Sequence, residues 1–543
     1  MAFNIADMIE HAVDLVPERI AVVCGDHRVT YAQLEQRANR LAHHLADHGV
    51  GRGEHVGIYA YNSVEFVETM FATFKLQAVP ININYRYVSD ELRFIFDNAD
   101  LVALVHQRRF SPSVATVLPD APLVRHVVVI DDGTDENDAA NGAVDYEHAL
   151  AAASPARDFG GRRGDDVYIL YTGGTTGTPK GVIWRHEDVW RVLGGGIDFL
   201  TGERIEDEWQ QATNGKDAAL VTFPVAPLMH GAAQWGTLGA LFNAGTVVLI
   251  PRFDAREVWR AVETELVNTL TITGDAMARP MLDALQAGDY DTSSLLALSS
   301  SAAIFSPSVK EQYLELLPNV VVTDAVGSTE TGFNGVTLVA KGISATTTGL
   351  PTVPMGPDTI VIDDDGNPLE PGSERIGRMA RSGNVPLGYY KDPEKTAETF
   401  VEFDGRRYAI PGDYARVEAD GSMTLLGRGN QSINSGGEKI FPEEVEGALK
   451  SHPDVFDAIV VGLPDERWGQ RVTAVVQPRA GKQPSLEQLD THCRTRLAGY
   501  KVPRELHLID EITRQPSGKP NYPWATEYAL AARRRAETTR THN

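Results

Sequence analysis

Between Tyr171 and Val182 the chain reads YTGGTTGTPKGV, a β-branched strand end running into glycines, threonines and one Pro-Lys pair. Such a loop can hold phosphate. The backbone N–H groups at Gly173, Gly174 and Gly177 stand clear of side chains, the hydroxyls of Thr172, Thr175, Thr176 and Thr178 can donate to oxygens, and Lys180 brings a mobile cation. It is not a Walker loop. The GxxxxGK[ST] spacing is absent and Lys180 is followed by Gly181, so the Ras-type arrangement with a hydroxyl on magnesium is not available. A flexible surface turn is the plain alternative, and four threonines between glycines at a strand end weigh against it.

The elements that must position this loop follow an alternating pattern. Short β-branched runs (HVGIYAY at 55–61, DVYILYT at 166–172, TVVLIP at 246–251, NVVVTDAVG at 319–327) are interleaved with amphipathic stretches such as YAQLEQRANRLAHHLADHG at 31–49. This predicts an α/β fold with mostly parallel, layered sheets. After Pro371 the chain turns to Gly-rich turns and shorter strands, a β-rich subdomain in which Asp420-Gly421 reads as a hairpin turn. A second unit follows, with a helix and strand in FPEEVEGALKSHPDVFDAIVVGLP (441–464) and another strand in RVTAVVQPR (471–479). We expect a large N-terminal domain, 1–428, and a small α+β C-terminal lid, 429–543, joined through GRGNQSINSGG (427–437). The tail ARRRAETTRTHN is expected to be a frayed end. The stretch from Ala218 to Pro251 lacks Asp, Glu, Lys and Arg, but its prolines, His230, Gln234, Asn243 and glycines make it a buried pocket segment and not a membrane span.

Composition narrows the classes. The formal net charge of -24 argues against a nucleic-acid binder, so an anionic substrate must be met by local cations. Cys24 and Cys493 are the only cysteines, without metal or disulfide spacing, and the N-terminus has no signal-peptide pattern, so a reduced, cytoplasmic setting is expected. A homodimer is compatible with the sequence.

The loop at 171–182 resembles that of the adenylate-forming superfamily of acyl-CoA synthetases, firefly luciferases and peptide-synthetase adenylation domains, and the resemblance runs nearly end to end. It implies a fold and a set of roles. In AVGSTETG (325–332), Thr329 stands at the position beside the α-phosphate and Glu330 at the one that holds Mg²⁺. In YAIPGDYARV (408–417), Asp413 matches the carboxylate on the ribose hydroxyls, and Arg428 the ribose-contacting arginine. Lys519, in RQPSGKPNY (514–522), matches the lysine that the lid inserts during adenylation, bridging carboxylate and α-phosphate as charge develops. The resemblance further assigns Ser301, Ala302, Ala303, Asp324, Ala325, Val326, Gly327 and Ser328 to the nucleotide pocket, Gly436, Gly437 and Lys439 to the CoA-binding state, and Asn430 to the hinge. Two departures stand out: Asn430 replaces the usual Asp or Lys, and Val326 replaces an aromatic ring against adenine.

The implied reaction is ATP-dependent formation of an acyl-AMP, rotation of the lid, then thioester formation with coenzyme A. His230, in PLMHGAAQW (227–235), matches the position at the acyl carboxylate, with a satisfied core histidine as the plain alternative. An amino-acid substrate would need a carboxylate against its ammonium group, and 218–251 offers none. Within the superfamily, WRHEDVWRVLGGGIDFLTGE (184–203), TGDAMARP (273–280) and HPDVFDAIVVGLPDERWGQ (452–470) look like actinobacterial sterol side-chain CoA ligases. A steroid side-chain acid is therefore expected, with a medium- or long-chain fatty acid close behind. A luciferase-like oxygenase and a non-catalytic adenylate binder are the competing readings.

Overall fold

The computed structural model describes residues 3–136, 142–172, 179–194, 203–301, 303, 305–339, 350–435, 438–465, 468–515 and 518–541. Four of the runs anticipated as strands are strands: His55–Tyr59, Val167–Thr172, Thr246–Leu249 and Val321–Ser328. The amphipathic stretch after Thr30 is the helix Tyr31–Asp47. Thr30 and Gln33 form a capping box at its start, and Leu34, Ala38, Leu41 and Leu45 line its buried face at helical spacing.

Two layered sheets carry the large domain. In one, Val321–Ser328, Ala297–Ser301, Thr269–Ile272, Val221–Pro224, Thr246–Leu249 and Ile20–Cys24 run parallel in that order, flanked by the antiparallel edges Gly332–Val339 and His27–Thr30. In the other, Val79–Asn82, His55–Tyr59, Leu101–Gln107, His126–Ile130 and Val144–Asp145 are all parallel. Helices such as Gly231–Phe242 and Gly274–Ala287 connect the strands of the first sheet. Parallel strands joined by helices are buried on both faces, which is why these strands read as apolar runs and not as alternation.

The charge-free segment forms the strand Val221–Pro224, the helix Gly231–Phe242 and the strand Thr246–Leu249 of that sheet. No helix among the described residues is long and apolar enough to cross a membrane. An antiparallel sheet follows over 352–428, in which Asp413–Val417 and Ser422–Arg428 make the hairpin foreseen at Asp420-Gly421, with Gly421 at φ +82°. Beyond the 3₁₀ turn Gly429–Gln431, a separate sheet begins at Ile433. The helix Pro442–Lys450 and the strands Val455–Asp465 and Gly469–Pro478 there build their own core, around Ile440, Val445, Leu449, Val460, Val472 and Ala474. The tail departs from expectation. The helix Tyr522–Thr541 continues through its residues 532–541, and Arg533 reaches Glu505 at 2.5 Å, tying the helix to the domain.

Candidate active site

In open parallel sheets, ligands collect beyond the carboxyl ends of the strands. Four neighbouring strand ends deliver candidate residues to one edge here. Pro224 leads to His230, Ile272 to Thr273, the third strand ends at Ser301, and Ser328 leads to Thr329 and Glu330.

Thr172 and Lys180, expected at the phosphates, face each other across an antiparallel pair, so the chain leaves and returns at one sheet end. Positions 173–178, comprising Gly173, Gly174, Thr175, Thr176, Gly177 and Thr178, lie outside the described residues. Lys180 Nζ is 2.7 Å from Asp392 Oδ2 and 5.5 Å from the centre of the Tyr389 ring. The Tyr389 hydroxyl in turn donates to Glu330 Oε1 at 3.2 Å, which links the loop lysine to the expected metal carboxylate. Trp184 Nε1 donates to the carbonyl of Thr329 at 2.9 Å, while Ser328 and Thr331 hydroxyls pair at 3.0 Å. These bonds fix the turn that carries Thr329 and Glu330.

The position expected to face adenine holds Val326 and no aromatic ring, as the sequence reads. Val326 is buried among Val353, Val361 and Met379, so its strand neighbour Ala325 faces the opposite way. Asp324 is buried against Lys310, and burial raises its pKa despite that partner. The Ser301 hydroxyl is buried with no partner among the described residues, and Ala303 N–H donates to the Ser301 carbonyl at 2.8 Å. Ala302 lies outside the described residues, and Gly327 is exposed at the strand bulge.

Asp413 and Arg428 are cross-strand partners, and Arg428 Nε donates to Asp413 Oδ1 at 3.2 Å. The Asp413 carboxylate beside it raises the guanidinium pKa further. Lys519 enters from the small domain on a tight turn. Gln515 N–H donates to the Lys519 carbonyl at 2.9 Å, and Arg514 clamps the base through Asp457 at 2.6 and 2.7 Å. The Lys519 residue is exposed to solvent, yet protein surrounds its ammonium group closely. That enclosure lowers its pKa, as does Arg428, while Glu330 and Asp413 oppose the shift. The lysine therefore shares one field with the residues expected at ribose and metal.

His230 completes the constellation. Burial depresses its pKa to about 3, with Lys519 and Arg86 adding to the effect, so the ring is neutral at physiological pH. Its Nε2 is buried and has no partner among the described residues. A buried, neutral ring nitrogen left open is suited to a ligand carboxyl. Of the remaining assignments, Asn430 lies in the Gly429–Gln431 turn and Lys439 in the strand Glu438–Ile440, opposite Asn434. Gly436 and Gly437 lie outside the described residues.

Sequence reasoning missed several supports. Tyr389 and Asp392 organise Lys180, and Trp184 holds Thr329. Asn82 accepts from Tyr171 N–H at 2.8 Å and donates to the carbonyls of Tyr171 at 2.8 Å and Met229 at 2.6 Å. It thereby stitches the phosphate-loop strand to the His230 turn. An Asn inside the apolar run VPIN was the available signal.

Residues 9–390 match the family model described as AMP-binding enzyme, and residues 444–519 match its C-terminal domain. The chain is similar, at 59% identity over 534 residues, to a 3-oxocholest-4-en-26-oate–CoA ligase of Rhodococcus rhodochrous, covering 97% of this chain and 96% of the relative. It is 57% identical over 533 residues to a medium/long-chain-fatty-acid–CoA/3-oxocholest-4-en-26-oate–CoA ligase of Mycobacterium tuberculosis, covering 98% and 97%. Among solved structures, the anthranilate CoA ligase AuaEII in complex with anthranoyl-AMP superposes with a TM-score of 0.83 over 98% of both chains at 23% identity, a likeness of fold.

Proposed function

The chain belongs to the AMP-binding enzyme family and is an AMP-forming acid–thiol ligase, and from that premise we propose that its acid is a large apolar carboxylate, either a steroid side-chain acid or a medium- or long-chain fatty acid. Two things support this choice of acid. Relatives at 57–59% identity are named for such acids, and the segment carrying His230 is free of charged side chains from Ala218 to Pro251.

ATP and coenzyme A are the co-substrates. In the first half-reaction a carboxylate oxygen attacks the α-phosphorus, the bond to the β-phosphate oxygen breaks, and pyrophosphate leaves. We assign Lys519 to the shared charge between carboxylate and α-phosphate, Thr329 to an α-phosphate oxygen, and Lys180 with the 172–178 loop to the departing phosphates. Asp413 accepts from the ribose hydroxyls with Arg428 beside it. Neutral His230 orients the acid by hydrogen bonding and adds no charge. The donor set fits Mg²⁺: the Glu330 carboxylate, together with triphosphate oxygens, offers the hard oxygens that ion takes, and the bound ion would offset charge on pyrophosphate.

In the second half-reaction the CoA sulfur attacks the acyl carbon and AMP leaves with the bonding pair. Residues 429–543 turn relative to 1–428 about Asn430, withdrawing Lys519 and bringing the Gly436, Gly437 and Lys439 segment to the site. Cys24 and Cys493, buried and free of disulfide bonding, suit a reduced, cytoplasmic setting.

The single observation that carries this mechanism is that Lys519, from the small domain, lies within electrostatic reach of Arg428, Asp413, Glu330 and His230. Lys519→Ala tests it. Acid-dependent ATP–pyrophosphate exchange should fall by roughly 10²–10³-fold, as for loss of a preorganised charge contact. Thioester formation from supplied acyl-adenylate should stay within a few-fold. Equal loss of both half-reactions would refute the role, and a panel from short fatty to steroidal acids scored by pyrophosphate release would decide the substrate class.

A further inference from the structure

We propose that His44, His48 and His126 form a site for a divalent transition-metal ion of the zinc, nickel or cobalt type, separate from the reaction centre. His44 and His48 stand four residues apart at the end of the helix Tyr31–Asp47, so their rings share one face. His126 opens the strand His126–Ile130 in the five-stranded parallel sheet. One ring nitrogen from each histidine lies within 4.8 Å of the others. His44 Nε2 and His126 Nε2 are 2.8 Å apart, and the His48 ring stacks on His126 at a centroid distance of 3.9 Å.

The hydrogen bonding selects the ligand-competent tautomer. His48 Nδ1 is 2.7 Å from the His44 carbonyl. A carbonyl only accepts, so Nδ1 carries the hydrogen and Nε2 keeps its lone pair. A second bond of this kind is how metal-binding histidines are commonly oriented. Between His44 and His126 the two Nε2 atoms cannot both carry hydrogen at 2.8 Å; one proton lies between the rings, and a metal ion would replace it. A tetrahedral ion with metal–nitrogen bonds of about 2.0–2.1 Å needs its nitrogens roughly 3.3 Å apart, so loading requires the His44 and His126 nitrogens to part from 2.8 Å and the His48 ring to turn out of its stack on His126.

Burial favours the neutral form of His44 and His126. Burial lowers the pKa of His44, and burial together with the other two histidines takes His126 down to about 4. Asp47 is the carboxylate acting on His44, and Arg125, next in sequence to His126, is occupied with the Gly49 carbonyl and Glu54, both at 2.6 Å. Those two bonds fix the helix end against the strand. His44 and His126 are buried while His48 is exposed, which leaves an entry path from solvent and a fourth position for water. Three imidazoles with an open position suit ions toward the strong-binding end of the divalent series, and not magnesium or calcium.

The test uses tag-free, chelator-treated full-length protein, titrated with zinc or nickel by calorimetry and with cobalt by visible absorption. One equivalent should bind, cobalt should develop ligand-field bands of a nitrogen-ligated site, and the melting temperature should rise with metal concentration. His48→Ala removes the exposed ligand. It should weaken binding by about tenfold or more while leaving the metal-free melting temperature and ATP–pyrophosphate exchange unchanged. His126→Gln should abolish the cobalt bands. No metal-dependent change in the parent protein, or undiminished binding by His48→Ala, would overturn the site and leave the trio a proton-sharing packing cluster.

Discussion

Lys180 Nζ stands 2.7 Å from Asp392 Oδ2, and the other oxygen of that carboxylate accepts from Lys395 N–H at 2.9 Å, capping the helix Pro393–Thr399. One side chain thus does two separable things: it aims the phosphate-loop lysine and it starts a helix.

Asp392→Asn separates the two. The amide oxygen can still cap, so stability should change little, since a partly exposed ion pair contributes only about 0–1 kcal/mol. The lysine loses its anchor, and KM for ATP should rise several-fold with kcat less affected. Asp392→Ala should show the same KM effect plus a loss of about 1 kcal/mol from the missing cap, read by denaturant unfolding. A KM for ATP unchanged in both variants would remove Asp392 from the nucleotide site.

Asn82 is the buried polar link between the loop strand and the His230 turn. In Asn82→Ala, Tyr171 N–H and the carbonyls of Tyr171 and Met229 lose this partner inside the protein. A buried group left unsatisfied costs about 1–3 kcal/mol, so a destabilisation of at least that size is expected. Adenylation should also slow under conditions where the variant is fully folded, because both ends that Asn82 joins carry site residues. Full activity in the folded variant would show the link to be structural only.

Glu443 gives the junction a pH dependence. It lies in the first turn of the helix Pro442–Lys450, its Oε2 is buried without a partner among the described residues, and a Cβ at Gly427 would overlap the carboxyl group. Burial, with Glu446 adding to it, pushes its pKa up to about 8. A carboxyl ordinarily titrates near 4.3, so the folded state binds the proton more tightly than the unfolded chain. The stabilisation is complete below the ordinary value and is lost as pH rises through about 8. Calorimetric melting between pH 5 and 9 should therefore fall more steeply in the parent than in Glu443→Gln, with the variant the more stable at the alkaline end. Parallel curves would place the proton elsewhere.

The layered strands were legible because parallel strands covered on both faces are written as unbroken β-branched runs, as in DVYILYT and TVVLIP. The hairpin at Asp420-Gly421 was legible because a left-handed glycine is a local requirement. What stayed hidden is what depends on distance along the chain. Nothing near Lys180 in sequence announces Asp392, and nothing near Val326 says that it turns into a core with Val353 while Ala325 faces away. The tail ARRRAETTRTHN reads as polar and unattached because the anchor for Arg533, Glu505, belongs to another strand.

The lysine turn offers the sharpest test of the two-state cycle. Gly518 holds φ +78°, and a Cβ there would sit 3.3 Å from Ala276 Cβ and from the Thr273 carbonyl of the large domain. Gly518→Ala therefore meets two obstacles. The left-handed backbone costs roughly 1–2 kcal/mol for a residue with a side chain, and the added methyl presses on the docking surface just before Lys519. The backbone cost belongs to the turn itself, whereas the pressure on Ala276 and Thr273 acts only while the turn is docked. Pyrophosphate exchange should drop by about tenfold or more, since small displacements of a charge-bearing group are costly in the transition state. Thioester formation from supplied acyl-adenylate should be spared, because in the proposed cycle that step follows withdrawal of the turn. If Gly518→Ala slowed the thioester step as much as adenylation, the turn would have to remain docked throughout, and the rotation about Asn430 would be wrong.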